Sequence, residues 1–281
     1  MKLLTLNTHS LQEEDYFRKL EQFVAVIAEE QPDILALQEV NQTMDAPFAS
    51  RELRDGLTPC PESLPIRMDN HAAQAALRLR KLGFPCSFTW ISGKIGYDRY
   101  DEGLAFLCLN RRIRAVDSFY ISGCKDYHNW KTRRVLGIQT EGCKDWFYTV
   151  HMGWWQDEEE PFSAQWDRLS SALLPKKEGT RVWLMGDFNS PAKVRGQGYD
   201  LVRESGWQDT YESAVEKDLG MTVEGCIDGW RPYFEPGENP KGMRIDYIWC
   251  SQSTSVTRSR ILFDGTKEPR ISDHFGVLIE F

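Results

Sequence analysis

Short apolar runs that each end in a polar side chain constrain this chain more than any other feature of its sequence. "KLLTLN" predicts a buried strand that ends at Asn7, and "PDILALQEV" predicts a second strand that ends near Glu39. A third run, "RVWLMGDFN", leads directly to Asp187 and Asn189. Loops at strand ends carry much protein chemistry because a rigid scaffold positions them. The pattern therefore indicates a sheet protein with a polar site at strand ends, although Asp and Asn also favour ordinary turns.

The strand order predicts a mixed α/β domain. Between the first two strands, apolar residues recur at helical spacing within residues 13–30, so the chain opens with a strand–helix–strand unit of the parallel kind. Helices are also predicted over 70–82 and 162–174. Five strands between residues 84 and 152, about ten residues apart, predict an antiparallel meander. The long loops 43–69 and 220–243 are candidate substrate loops.

The composition limits which kinds of partner the protein can bind. The 281 residues carry 34 basic and 42 acidic side chains, a formal net charge of -8. Proteins that grip long nucleic acids usually present a basic field, so nucleic acid is the less favoured partner. An acidic chain that acts on phosphates needs a cation as intermediary. We expect one domain over 1–281, because the halves share strands and no linker separates them.

The expected compartment is the cytoplasm. Seven cysteines are spread singly without a C-x-x-C pair, which favours reduced, buried thiols. The opening "MKLLTLNTHS" is too short for a signal peptide, and no apolar run of 18 residues predicts a membrane span.

Seven motifs together resemble one family. "TLNTH", "LALQEV", "YDEGLAFL", "VHMGWW", "LMGDFNSP", "RIDYIW" and "SDHFGV" occur in the order seen in the endonuclease/exonuclease/phosphatase superfamily. That superfamily includes pancreatic deoxyribonuclease, AP endonucleases, inositol polyphosphate 5-phosphatases and sphingomyelinases. The resemblance implies a four-layer α-β-β-α sandwich, in which two mixed sheets lie face to face with helices outside. It also implies metal-dependent phosphate ester hydrolysis.

The resemblance implies roles for particular residues. Mg²⁺, with Mn²⁺ as the alternative, would be held by Glu39 with Asn7 beside it and Asp273 nearby, which suits the preference of hard cations for oxygen ligands. His274 resembles the catalytic histidine of the family, and Asp246 would orient it. The remaining pair, at the mouth of the third strand, would align the attacking water and contact the phosphoryl oxygens: Asp187 and Asn189.

A second histidine–carboxylate pair is implied by the pancreatic deoxyribonuclease branch. Glu102 matches the carboxylate of that pair and His151 matches its histidine, which would also contact the phosphate. Arg133 matches a phosphate-binding arginine, although Arg134 beside it leaves the register open. His9 stands where AP endonucleases carry a metal-associated Asp, and its role also stays open.

Two functions remain after these assignments. "GYDRYDEG" and "HMGWWQDEEEPF" resemble the bacterial maltose 6'-phosphate phosphatase-like branch, which implies a phosphomonoesterase for a small phosphorylated sugar. Trp154 and Trp230 would stack on the sugar. The alternative is a deoxyribonuclease-like or AP-endonuclease-like phosphodiesterase, and a catalytically silent binding module is disfavoured by the intact site motifs. The sequence leaves the oligomeric state open.

Overall fold

The computed structural model describes residues 1–225, 227, 230 and 242–281, which form thirteen strands and five α-helices. The strands are β1 (Lys2–Asn7), β2 (Ile34–Thr43), β3 (Cys86–Gly96), β4 (Tyr100–Leu109), β5 (Ile113–Tyr120), β6 (Arg134–Thr140), β7 (Trp146–His151), β8 (Val182–Asp187), β9 (Gln208–Asp209), β10 (Ala214–Lys217), β11 (Asp246–Cys250), β12 (Val256–Leu262) and β13 (Gly276–Glu280). The helices are α1 (Tyr16–Glu30), α2 (His71–Lys81), α3 (Phe162–Gly179), α4 (Gly198–Glu204) and α5 (Thr210–Ser213).

The strands form two mixed sheets. The first has the order β10-β12-β13-β1-β2-β4-β3, and the second has the order β5-β6-β7-β8-β11-β9. Parallel pairs occur at β1/β2 and β10/β12 in the first sheet and at β7/β8 in the second, whereas the other pairs are antiparallel. The expected strand–helix–strand opening is confirmed, because β1 and β2 are parallel neighbours joined through α1.

Three hydrophobic clusters show how the layers stack. Side chains alternate across a strand, so Leu4 and Leu6 pack in one cluster with residues of α1 and α2, whereas Leu3 faces the opposite side. The cluster around Leu3 consists mainly of strand residues from both sheets and fills the space between them. A third cluster joins α3 and α4 to the outer face of the second sheet. The predicted four-layer α-β-β-α sandwich is therefore confirmed.

Helix boundaries follow local capping. The helix expected within 70–82 begins at His71, because the side chain of Asn70 accepts a hydrogen bond from the backbone N–H of Ala73 at 3.0 Å. The first helix starts at Tyr16 rather than near residue 13, because a short 3-10 turn at Ser10–Gln12 comes before it. The third helix runs five residues beyond the expected 162–174, to Gly179.

The expected continuous meander over 84–152 is wrong in one respect. β3 and β4 pair with each other in the first sheet, and β5, β6 and β7 form a meander in the second. β4 also pairs with β2, so both of its edges are occupied and β5 cannot join it. The chain therefore crosses from one sheet to the other between β4 and β5.

The candidate loops differ in their relation to the site. Residues of the 43–69 loop line a separate groove of about 500 Å³ and contribute to neither of the two pockets at the polar edge of the sheets, so their role as a substrate loop stays a prediction. Within 220–243, Met221 and Met243 line a cavity of about 1150 Å³, and Ile227 lines a smaller pocket of about 270 Å³. Residues 226, 228–229 and 231–241 of that loop lie outside the described part.

None of the helices that the structure describes combines the length and the apolar character needed to cross a bilayer.

Candidate active site

The strand ends meet at one edge of the sandwich. β1 ends there at Asn7, beside Gln38 of β2, and β7 and β8 end there side by side. The expected end of β2 near Glu39 is wrong, because the strand bulges at that point and continues to Thr43. β11 runs antiparallel to β8, so its first residue, Asp246, pairs with the last residue of β8, Asp187. β13 runs antiparallel to β1, which brings the residues before β13 to the same edge. Both sheets therefore deliver polar side chains to one place.

A pocket of about 270 Å³ opens at this edge. It brings together most of the residues singled out in the sequence: Glu39, Glu102, Arg133, His151, Trp154, Asp187, Asn189, Asp273 and His274. Asn7 and Asp246 lie behind the wall and hydrogen-bond to residues that line the pocket. Trp230 lines the neighbouring cavity instead and also contacts a pocket residue.

A β-bulge aims Glu39 into the pocket. The register of β2 against β4 shifts between Leu37 and Val40, and Glu39 adopts a left-handed φ of 50° at that point. A non-glycine residue rarely holds this conformation unless its surroundings impose it. The hydroxyl of Ser10 donates to the carbonyl of Glu39 at 2.7 Å, and the indole of Trp90 donates to the carbonyl of Val40 at 2.9 Å. These bonds fix the bulge, which redirects the carboxylate.

Asn7 links the carboxylates of the two sheets. Its amide nitrogen lies 2.8 Å from Oε1 of Glu39 and 3.3 Å from Oδ2 of Asp187. Its amide oxygen accepts the backbone N–H of His9 at 3.3 Å. Asn7 was expected beside a metal ligand, and in this geometry it contacts the carboxylates through its nitrogen and positions both.

The surroundings of Glu39 fit a divalent cation. Burial raises the pKa of Glu39, and the nearby carboxylates of Glu102 and Asp273 raise it further, while the charge of His9 lowers it. In the described part of the chain, no Lys, Arg or His side chain forms an ion pair with Glu39. Two carboxylates that face one pocket, Glu39 and Asp273, are the oxygen donors that Mg²⁺ prefers.

His9 borders the same corner. Its Nδ1 lies 2.7 Å from Glu13 and 3.9 Å from Asp273, and its Nε2 lies 3.1 Å from the hydroxyl of Tyr97. Burial alone would lower the pKa of His9, but the hydrogen bond to Glu13 and the charges of Glu39 and Asp273 raise it to about 9. One ligand atom from each of His9, Glu13 and Asp273 lies within 4.8 Å of the others, so this group could also hold an ion.

Two residues of the "GDFN" segment, Gly186 and Asn189, have unusual backbone conformations. Gly186 has a φ of 145°, and a Cβ there would collide with the carbonyl oxygen of Val150 on the parallel strand β7. Asn189 adopts a left-handed φ of 44°, which Asn tolerates better than most residues. Its backbone N–H donates to Asp187 at 2.8 Å, and its amide nitrogen donates to the carbonyl of Met152 at 2.9 Å. Both polar side chains are thereby held at the pocket wall.

His274 and Asp246 form the pair that the sequence predicts. Nδ1 of His274 lies 3.0 Å from Oδ2 of Asp246, and Nε2 lies 3.8 Å from Oδ2 of Asp187. Burial would lower the pKa of His274, but the charges of Asp246 and Asp187 outweigh it and raise that pKa well above the ordinary value. Burial and the charge of Asp246 in turn raise the pKa of Asp187 to about 7, against the opposing effect of His274. The charges of Asp246 and Asp187 therefore favour the protonated imidazolium form of His274.

The pKa of His151 is displaced in the opposite direction from that of His274. Burial and the positive charges of Arg133, Lys94 and His274 lower its pKa well below the ordinary value, so this imidazole is neutral. Two histidines with pKa values displaced in opposite directions can act as acid and as hydrogen-bond acceptor in one site.

The expected pairing of His151 with Glu102 is wrong. Nε2 of His151 lies 3.6 Å from Asp187, and Glu102 instead forms an ion pair with Lys94 at 3.0 Å. Lys94 lies directly opposite Glu102 in the β3/β4 register, which explains why Glu102 pairs with Lys94 and not with His151. Gly96 makes room for the pair, since a Cβ there would lie 2.5 Å from Oε2 of Glu102.

Arg133 is the arginine that faces the pocket. Its Nη1 donates to the carbonyl of Trp130 at 2.7 Å, and its buried Nε has no hydrogen-bond partner. In the described part of the chain, no carboxylate forms an ion pair with this guanidinium, and burial lowers its pKa. Arg134 points away, stacks on Tyr120 and lies 3.3 Å from Glu62.

The acidic run Asp157 to Glu160 anchors the loop that carries Arg133. Glu160 accepts the backbone N–H groups of Gly123 at 2.9 Å and Cys124 at 2.7 Å, and Asp157 forms an ion pair with Lys131 at 3.0 Å. Asp157 and Glu160 therefore make specific structural contacts beside the pocket.

The two predicted stacking residues differ in position. Trp154 lines the pocket, with the guanidinium of Arg133 6.0 Å from its ring centroid. Trp230 is 9% exposed, and its indole N–H donates to Oδ1 of Asn189 at 2.9 Å. Trp230 therefore positions Asn189 in addition to presenting a ring to the neighbouring cavity.

Six further pocket residues were missed in the sequence. Lys94, Ile95 and Gly96 come from β3, and the other three are Tyr97, Trp130 and Ile227. Lys94 could have been found by placing the "SGKIGYDRYDEG" hairpin in register, because it then lies opposite Glu102. No comparable signal marks the other three, whose positions depend on loops that pack only in the folded chain.

Two face-to-face mixed sheets with this polar edge define the DNase-I-like α/β sandwich, a phosphoesterase fold. Residues 4–274 match the Endonuclease/Exonuclease/phosphatase family, and the chain belongs to that family. Its members are hydrolases that act on phosphoesters and generally depend on divalent metals.

Solved structures support the fold. An endonuclease/exonuclease/phosphatase family protein from Leptotrichia buccalis C-1013-b is 30% identical, with a TM-score of 0.83 over 100% of this chain and 98% of that chain. A mannosyl-6-phosphatase from Bacteroides thetaiotaomicron VPI-5482 is 17% identical, with a TM-score of 0.66 over 100% and 98%. TDP2 from Caenorhabditis elegans is 15% identical, with a TM-score of 0.59 over 99% and 73%. Among curated proteins, none matches this chain.

Proposed function

We propose that this protein is a Mg²⁺-dependent phosphomonoesterase that acts on a small phosphorylated sugar in the cytoplasm. The six cysteines that the structure describes are free, which suits a reducing compartment. Mn²⁺ is the alternative ion. The competing function is a nuclease of the deoxyribonuclease or AP-endonuclease type.

The buried guanidinium of Arg133 is the single observation that carries the proposal. A buried charge is costly unless an opposite charge pairs with it, and no carboxylate of the described residues lies within ion-pair distance of Arg133, although the charges of Glu102 and Asp187 act on it from farther away. Lys94 and the imidazolium of His274 line the same pocket. The substrate phosphate would supply the missing anion, and arginine suits it because its planar donors match phosphate oxygens.

Each of these pocket residues would have a separate role in the hydrolysis. Water would attack phosphorus opposite the ester oxygen, so that one P–O bond forms as the bond to the sugar oxygen breaks. Asp187, with a pKa of about 7, is suited to accept the proton of that water, and Asn189 would help to align it. His274 and Arg133 would stabilise the charge that develops on the phosphoryl oxygens. The neutral His151 would hydrogen-bond to the phosphoryl group.

The metal would be held by Glu39 and Asp273, with Asn7 fixing the orientation of Glu39. A bound Mg²⁺ supplies Lewis acidity to the phosphoryl oxygens and to the leaving oxygen.

Charge and size favour a small ester over a polymer. The net charge of -8 opposes a polyanion, and the catalytic pocket of about 270 Å³ admits a phosphoryl group with part of one ring. The mannosyl-6-phosphatase of similar fold fits this substrate class, whereas TDP2 shares the fold with lower structural similarity.

The test is phosphate release from hexose 6-phosphates, compared with hydrolysis of bis(p-nitrophenyl) phosphate, with Mg²⁺ and with EDTA. We expect monoester turnover that EDTA abolishes and that Arg133→Met reduces about a hundredfold, whereas the exposed Arg114→Met matches the wild type. A preference for the diester, retained in Arg133→Met, would support the nuclease instead.

A further inference from the structure

A large cavity lies beside the catalytic pocket. Its volume is about 1150 Å³, against about 270 Å³ for the catalytic pocket. The two spaces share two wall residues, Trp154 and Asn189. A molecule that fills both would therefore pass from the phosphate-binding residues directly into the larger space.

Aromatic rings form much of the wall of this cavity. The ring-bearing residues are Trp154, Trp155, Tyr199, Trp207, Tyr211 and Trp230. Trp230 also donates the 2.9 Å hydrogen bond to Asn189. A ligand that contacts this ring in the cavity is therefore linked through Trp230 to a residue of the catalytic pocket. Flat apolar faces of this kind stack on the C–H faces of sugar rings.

A pre-organised arginine lies among these rings. The guanidinium of Arg244 is 4.5 Å from the ring centroid of Tyr211 and 5.5 Å from that of Tyr199. It forms ion pairs with Asp209 at 2.8 Å and with Glu212 at 3.3 Å, and the hydroxyl of Tyr199 donates to Asp209 at 3.0 Å. These contacts hold Arg244 in one orientation.

The charge balance of the wall identifies the chemistry of its ligand. The charge of Arg244 is compensated by Asp209 and Glu212, and that of Arg195 by Asp200 at 3.0 Å. The further cations on the wall, Lys193 and Arg203, are exposed and remain solvated. Among the described wall residues, a buried anion would therefore find uncompensated charge only on these two exposed side chains. Hydroxyl groups, in contrast, can donate to the carboxylates and accept from the guanidinium.

We propose that this cavity is a subsite for an uncharged, hydroxyl-rich leaving group larger than a single sugar ring. This rests on the proposed phosphomonoesterase function, because the phosphate must lie in the catalytic pocket for the rest of the substrate to reach the cavity. A volume above 1000 Å³ exceeds what one hexose needs, and ligand pockets of drug size span about 300–1000 Å³.

Direct binding tests the subsite without catalysis. Unphosphorylated cellobiose, lactose and mannobiose are titrated into the wild-type protein and followed by tryptophan fluorescence, with glucuronate and adenosine as charged and planar comparisons. We expect saturable binding of at least one neutral disaccharide that is tighter than binding of either comparison. Tighter binding of glucuronate or adenosine would overturn the assignment to neutral polyols.

Kinetics separates this inference from the proposed function. The ratio of kcat/KM for a phosphorylated disaccharide over the matching hexose phosphate should be about tenfold or more. Met221→Trp, which fills the cavity, should bring this ratio close to one and abolish disaccharide binding, whereas Met68→Trp at an exposed methionine outside both spaces should keep the wild-type values.

The outcomes are distinguishable. Hexose phosphate turnover with a ratio near one and no disaccharide binding would overturn the subsite and leave the phosphatase standing. Disaccharide binding that Met221→Trp removes, without hydrolysis of any sugar phosphate, would support a sugar-binding cavity but contradict the phosphatase, and with it the assignment of the cavity to a leaving group.

Discussion

Asp246 accepts a hydrogen bond from Nδ1 of His274 at 3.0 Å, although the two residues are 28 positions apart in the chain. The second ring nitrogen of His274 then faces Asp187 at 3.8 Å, at the pocket wall. The carboxylate of Asp246 thus fixes both the orientation of the imidazole and its charge.

This pairing predicts non-additive losses. His274→Ala should lower kcat by about 10²- to 10⁴-fold, and Asp246→Asn should lower it strongly because the imidazolium loses its partner. The double variant should be little slower than the slower single variant, since both changes disable one unit. Steady-state kinetics of the three variants checks this. Losses in activation free energy that simply add would disprove the pairing.

Replacement of the bulged carboxylate should weaken metal binding. Glu39→Gln removes a charged oxygen donor while keeping the side-chain shape, so turnover should fall at least about a hundredfold at low millimolar Mg²⁺. Mn²⁺ binding, followed by electron paramagnetic resonance, should weaken in parallel. The exposed Glu14→Gln serves as the matched control and should behave as the wild type. Near wild-type metal affinity in Glu39→Gln would remove Glu39 from the metal site.

Lys94 should act with Arg133 as a phosphate-binding cation. Lys94→Met should lower kcat/KM about ten- to a hundredfold and weaken inhibition by inorganic phosphate, because one charge that faces the anion is lost. Lys94→Arg should restore part of both. If Lys94 only neutralised Glu102, Lys94→Met would leave phosphate inhibition unchanged, and the double variant with Glu102→Gln would recover activity.

Asp187→Asn should exchange activity for stability in metal-free protein. The pKa of Asp187 is raised to about 7 in the folded protein, so folding is favoured while this carboxyl group is protonated. Its contribution to the free energy of unfolding is fully present below the ordinary pKa of Asp and is lost as the pH rises through 7. The variant should therefore melt at a higher temperature than the wild type at pH 8 in EDTA, by about 2–4 °C per kcal/mol. The difference should shrink at pH 5, where the wild-type carboxyl is already protonated. An equal difference at both pH values would contradict this assignment, and kcat should fall in either case.

The sequence predicts which residues lie at strand ends better than it predicts which residues they contact. Asn7, Glu39 and Asp187 follow apolar runs, and parallel pairing of β1 with β2 brings Asn7 and Glu39 to one edge. Asp187 reaches the same edge only through the packing of the second sheet on the first, which local pattern does not predict. The placement of Asp246 opposite Asp187 required the antiparallel register of β11, which depends on packing between distant segments. The four-layer order came from the resemblance, because periodicity within strands does not state which sheet a strand joins.

The missed Lys94–Glu102 pair has a different cause. The histidine partner for Glu102 was carried over from the deoxyribonuclease branch, whereas the hairpin in this chain places a lysine directly across from Glu102. The bulge at Glu39 was equally invisible, since the left-handed φ of 50° arises from bonds to Ser10 and Trp90 on other segments. Local pattern cannot reveal a conformation that tertiary contacts impose.

The proposed role of the cationic pocket around Arg133 is to receive a small phosphate monoester. Its most direct test measures the salt dependence of phosphate release from a hexose 6-phosphate beside nicking of supercoiled plasmid, between 50 and about 200 mM salt. Binding to duplex DNA loses affinity with a log–log slope close to -0.9 for each phosphate contacted, whereas one monoester in a shielded pocket should lose little. We expect sugar phosphate turnover with a shallow salt dependence and little nicking. Efficient nicking that salt steeply suppresses, without turnover of any sugar phosphate, would contradict the account.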